Sequence, residues 1–193
     1  MPLHRHLRPR LLAATAALAA VLIPAAALAS CSTAGPHPAA GPVPPCASSQ
    51  LTAWMALPSA GAAALTDYFY FEITNASRHA CSLDGFPRVT AVGLNGRQIG
   101  GAALGATSVP ARRIVLAPGA TSHTIVGITS TSGWSPSGCH PRTAYGLSVT
   151  APHTHGSLRV GFSFAACAEP SAHFLQVFAL QPGVGIPGYR RPG

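Results

Sequence analysis

No lysine occurs in the 193 residues, and carboxylates number only four: Asp67, Glu72, Asp84 and Glu169. The missing amine excludes Schiff-base chemistry and a phosphate-loop lysine. So few acids leave general acid–base catalysis and metal-assisted hydrolysis poorly provisioned. Charged residues make up 8% of the chain, too few for a charge-patterned coiled coil or an acidic disordered segment. There is no G-x-S-x-G nucleophile elbow, no C-x-x-C zinc knuckle and no repeat of 20–50 residues. Beyond the N-terminal segment the only methionine is Met55, which rules out a thioether-rich copper site.

What is present begins with an address. Arg5, Arg8 and Arg10 precede an uncharged Ala/Leu-rich run over residues 11–29, broken by Pro24 and ending in small residues. A basic start, an apolar middle and a small-residue end describe a secretory signal over residues 1–30. A retained membrane span is the alternative, and the alanine content and Pro24 weigh against it. Leu28-Ala29-Ser30-Cys31 resembles a bacterial lipobox, in which Cys31 becomes the first mature residue and carries lipid on its sulfur. Cleavage after Ala27-Leu28-Ala29 competes with that reading. A lipidated Cys31 leaves Cys46, Cys81, Cys139 and Cys167, an even set suited to two disulfides in an oxidising compartment. Residues 31–45 then form a proline-rich tether, residues 46–181 a folded domain and residues 182–193 a flexible Pro/Gly/Arg tail. The expected location is extracytoplasmic, on the outer face of the cell membrane through the lipid, or secreted if Cys31 stays unmodified.

The body reads as strands. Residues 68–74 alternate, with Phe69, Phe71 and Ile73 on one face and Tyr68, Tyr70, Glu72 and Thr74 on the other. Asn95-Gly96 between residues 89–94 and 97–99 suits a type I′ hairpin. Pro118-Gly119 separates residues 113–116 from 121–129, and residues 152–156 connect strands at 145–150 and 158–164. A last strand covers 173–180, while 59–65 is either a helical turn or a loop. About eight short strands and no helical run outside the signal predict an all-β fold, an antiparallel Ig-like β-sandwich. Four cysteines allow three connectivities. Cys46–Cys81 and Cys139–Cys167 are preferred, because each pair brackets a hairpin whose ends should meet.

These residues carry a resemblance. A Cys before the first strand, the aromatic strand ending Ile73-Thr74-Asn75-Ala76-Ser77, and Cys81-Ser82-Leu83-Asp84-Gly85-Phe86-Pro87 are joined by Leu116-Ala117-Pro118-Gly119 and the late Cys139 and Cys167. Together they resemble domain-of-unknown-function family 4232 of actinobacterial secreted proteins and lipoproteins, over roughly residues 46–180. The resemblance implies export and a disulfide-bonded β domain. It implies no activity and transfers no catalytic residue.

Candidate sites are few. His153 and His155, two apart on an extended segment, point the same way and are the one pair suited to a borderline metal; a solvated hairpin loop is the plainer reading. Tyr68, Tyr70 and Trp134 are candidates for an aromatic ligand patch, against a role covering the sheets. Removing residues 1–30 leaves nine arginines against four acids, a formal +5 that suits anionic envelope components. The arginines look scattered in sequence, and nothing resembles a nucleic-acid motif. The expectation is a non-catalytic envelope-binding lipoprotein that uses no cofactor. A structural envelope protein without a small ligand is the alternative, followed by a metal-handling lipoprotein or a hydrolase.

Overall fold

Alternating burial builds the architecture in the computed structural model, which describes residues 41–56 and 60–187. The signal segment, Cys31, the tether as far as residue 40 and residues 188–193 lie outside the described residues. No helix among the described residues is long and apolar enough to cross a membrane. The strands are β1 (Leu51–Met55), β2 (Gly61–Ala63), β3 (Thr66–Asn75), β4 (Cys81–Leu83), β5 (Arg88–Val92), β6 (Gln98–Ala102) and β7 (Leu104–Ala106). They continue with β8 (Ile114–Leu116), β9 (Thr121–Thr129), β10 (Pro141–Thr150), β11 (Leu158–Cys167), β12 (Leu175–Phe178) and β13 (Gln181–Pro182).

One sheet runs β1-β3-β9-β12-β7, with β2 added to β3 and β13 to β9. A second runs β11-β10-β5-β6, and β4 pairs with β8 in a two-stranded ribbon. Phe71 and Ile73 of the large sheet and Val89, Ala91, Leu147 and Val149 of the smaller one are wholly buried in one core. Phe69 of β3 meets Phe162 of β11 with ring centroids 5.1 Å apart, joining the two inner faces. Each of these side chains except Ala91 contributes about 1.5–3 kcal/mol of burial. The result is a sandwich-like all-β fold with both expected disulfides, Cys46–Cys81 and Cys139–Cys167.

Several local expectations change. Among the described residues there are thirteen strands where about eight were expected, because pieces of two to five residues are too short to show a period and are defined by their partners. The Asn95-Gly96 hairpin joins β5 to β6, yet only Gly96 has positive φ, 74°. The Gly96 N–H donates to the Gly93 carbonyl and the Gly93 N–H to the Arg97 carbonyl. This is a three-residue loop with glycine in the left-handed bulge position, not type I′. A type I′ conformation appears instead at Ala64-Leu65, with φ of 46° and 66°, where β2 turns into β3 within the stretch left open above. Beyond the Pro118-Gly119 turn the chain changes sheets, since β8 pairs with β4 and β9 with β3.

Backbone pairing extends beyond residues 46–181 at both ends. Pro44 and Val43 belong to the domain: the Ser82 N–H donates to the Pro44 carbonyl, and Arg113 Nη2 donates to the Val43 carbonyl. Residues 182–187 are not loose, because β12 covers only Val126–Ile128 of β9 and leaves the edge at residues 122–123 open. β13 pairs there, and the Gly183 N–H then donates to the Thr121 carbonyl at 2.9 Å. Filling an unpaired edge satisfies its backbone groups.

Candidate functional site

The aromatic candidates do not gather. Tyr68 and Tyr70 share the outer face of the large sheet, where Tyr68 packs edge-on against Phe178 at 6.2 Å and Tyr70 against His123 at 5.9 Å. Trp134 instead packs, partly buried, against the core. The two histidines are engaged differently. His153 has φ of 58°, which ends strand alternation, and its Nε2 lies 3.0 Å from Asp84 Oδ1. His155 is held through its backbone, its carbonyl accepting from Ser48 Oγ at 2.6 Å. Among the described residues no three His, Cys, Asp or Glu side chains are grouped to hold a metal.

Asp84 and His153 border a cleft of about 330 Å³ that Ser82, Arg113 and Pro42–Pro45 also line. The Ser82 hydroxyl is already engaged. It donates to the Val43 and Pro44 carbonyls at 3.3 and 3.2 Å and accepts from Arg113 Nη2 at 3.1 Å. A hydroxyl facing a guanidinium is held in place rather than deprotonated by a neighbouring base.

Glu72 departs furthest from its expected exposure. It sits between Trp54 of β1 and His123 of β9 in register and is wholly buried. The segment after β13 covers it: the Gly185 N–H donates to Oε1 at 3.0 Å, while Oε2 is buried without a hydrogen-bond partner among the described residues. Burial pushes the carboxyl up to about 7, against the lowering effect of the Gly185 and Ile186 backbone bonds. A Cβ at position 185 would fall 2.4 Å from the Tyr70 ring, so glycine allows the close approach.

A roomier site than the Asp84–His153 cleft lies on the other sheet. Strands β5, β6, β10 and β11 and the 93–97 connection carry Arg88, Arg97, Arg142 and Arg159 and no acid. Arg88 donates to Gln98 at 3.3 Å and Arg159 to the Gly96 carbonyl at 3.5 Å. Neither the Arg97 nor the Arg142 guanidinium has a hydrogen-bond or ion-pair partner among the described residues. Both line a groove of about 850 Å³ with Asn95, Gln98, Thr143 and Tyr145. Tyr145, 46% exposed, sits where the β10–β11 register slips, Ala144 opposing Phe164 and Gly146 opposing Gly161. Such irregularities re-aim a side chain. A Cβ at Gly146 would come 2.6 Å from the Val160 carbonyl, so this close strand approach requires glycine.

The family described as Domain of unknown function (DUF4232) matches residues 46–181. The chain belongs to that family. No curated protein and no solved structure matches it. The DUF4232 match begins at Cys46 and ends at Gln181, so it spans both disulfides, the groove and Glu72 but excludes Gly185. Within this DUF4232 domain the groove residues escaped the sequence reading. Two signals could have found them: Gly146 interrupting a strand, and the stretch between Asp84 and Glu169, which holds six arginines and no acid.

Proposed function

We propose that this DUF4232 protein is an exported, non-catalytic binding module tethered to the outer face of the cell membrane, engaging anionic envelope components through its smaller sheet. The observation that carries the reading is charge segregation: four arginines occupy that sheet and its 93–97 turn without one acid among them. In the low dielectric beside a folded surface, one-signed charge attracts and steers opposite charge. Two buried disulfides favour an oxidising compartment, and the Leu28–Cys31 motif with an even number of remaining cysteines supports lipidation at Cys31. The Ser82 hydroxyl, engaged by Arg113 and by two backbone carbonyls, supports binding over hydrolysis.

Vesicle sedimentation tests the reading. Phosphatidylglycerol vesicles should bind the unlipidated protein with Cys31→Ala, phosphatidylcholine vesicles should not, and salt should weaken the binding. Each of Arg88→Gln and Arg159→Gln should cost about fivefold, the order of one basic side chain near an anionic surface. Equal binding to both lipids, or no loss in the double variant, overturns the charge argument. For the tether, Cys31→Ala should release the protein from the membrane fraction. A wild type already soluble and beginning at Ser30 refutes the anchor.

A further inference from the structure

We infer that the groove between Arg97 and Arg142 is a recognition subsite for an acidic glycan, with Tyr145 as the platform for a sugar ring. The inference rests on the anionic-partner reading and adds to it a ligand class. Three features of the groove distinguish it from the general charge of the sheet.

The first is size. At about 850 Å³ the groove has far more room than a single phosphate or carboxylate needs, and it falls in the range that holds small organic ligands. The second is an imbalance of donors. Two guanidinium groups line it without partners, each presenting a planar fork of N–H donors. Asn95 uses its side-chain oxygen to accept from the Arg97 N–H, which leaves its amide N–H₂ available, and Thr143 adds a hydroxyl. No carboxylate lines the groove, so a complementary ligand must be rich in acceptors and negatively charged. The third is Tyr145. Its ring is half exposed at the register slip, an amphipathic surface on which the C–H face of a sugar can stack while hydroxyls reach the rim.

A lipid surface fits less well. None of the exposed aliphatic side chains Leu65, Leu94, Leu104 and Val115 lines the groove, and Leu94 alone at the hairpin tip, 79% exposed, makes no insertion patch.

The test uses the purified full-length protein with four probes in calorimetry: tetragalacturonic acid, a phosphorylated pentamannose, neutral maltotetraose and inorganic phosphate. Saturable binding is expected for one or both acidic oligosaccharides, which distinguishes carboxylate from phosphate recognition, and only weak binding for the other two. Arg97→Gln and Arg142→Gln should each weaken it about tenfold or more, the order for hydrogen bonds to charged groups. Tyr145→Ala should weaken it about fivefold, with Tyr145→Phe restoring most of the affinity. Tyr145→Ala should leave phosphatidylglycerol sedimentation unchanged, so failure of the glycan subsite is distinguishable from failure of the charged face. An unchanged melting temperature establishes that each variant is folded; where Tyr145→Ala lowers it, the two arginine variants carry the comparison. The inference is overturned if neither acidic oligosaccharide binds, if inorganic phosphate or maltotetraose binds as well, or if folded Tyr145→Ala loses vesicle binding instead.

Discussion

Glu72 and Gly185, separated by 113 positions, meet through a 3.0 Å hydrogen bond in which the glycine N–H donates to a carboxylate oxygen. That contact closes the segment after β13 over one of the four acids in the chain and removes it from water. Its partners across the sheet are Trp54 and His123, and His123 Nδ1 itself lies 2.9 Å from the Gly183 carbonyl oxygen.

Stability should therefore fall as pH rises through neutrality. The Glu72 carboxyl is raised from 4.5 to about 7 in the folded protein by burial, so between those values the folded state binds more protons than the unfolded one. The stabilising contribution is complete below about pH 4.5 and is lost as pH rises through 7, a change of about 1–3 kcal/mol at most. Glu72→Gln should abolish this part of the slope and make the protein more stable than wild type at pH 8. Urea titrations at pH 5 and 8 measure it, and an identical slope in both proteins counts against the account.

The turn at Ala64-Leu65 holds two side-chain-bearing residues at positive φ, where asparagine and glycine are at home. Each left-handed residue costs about 1–2 kcal/mol. Leu65 is 62% exposed and loses little packing on truncation. Ala64→Asn/Leu65→Gly should raise the melting temperature by several degrees, about 1–3 kcal/mol. A lower melting temperature would show that the turn is not strained in solution.

The disulfides close loops of 35 and 28 positions in sequence separation. Chain-entropy reasoning assigns about 3–4 kcal/mol to each. Cys46→Ala/Cys81→Ala and Cys139→Ala/Cys167→Ala should each lose that amount in denaturant titrations. Non-reducing peptide mapping should recover Cys46 with Cys81 and Cys139 with Cys167; a Cys46–Cys139 peptide would contradict the fold.

Much of the fold was legible because strand chemistry is local. Phe69, Phe71 and Ile73 announce a buried face by alternation alone, and all three are buried. Cys139 and Cys167 pair because they flank the β10–β11 hairpin, with Cys167 opposite Pro141 in register. Turn position at Asn95-Gly96 was equally readable, but turn type was not, since the strand register on either side selects the loop length. Partition of β8 and β9 into different sheets was also hidden, because Pro118-Gly119 reverses the chain without specifying which edge it joins.

By itself the sequence determined the β class and the family of residues 46–181, which follow from residue type and short-range spacing, and it gave one of three cysteine pairings preference, which the structure carries. Tertiary structure alone decided two matters. It buried Glu72, whose place in an alternating strand marks it for solvent, because a segment 113 positions away happens to fill the open edge of β9. It also brought Arg97 and Arg142 into one groove with Tyr145, although in sequence they look dispersed. Coulomb attraction and ligand contact depend on distances in space, and antiparallel pairing of β5, β6 and β10 sets those distances where chain separation does not.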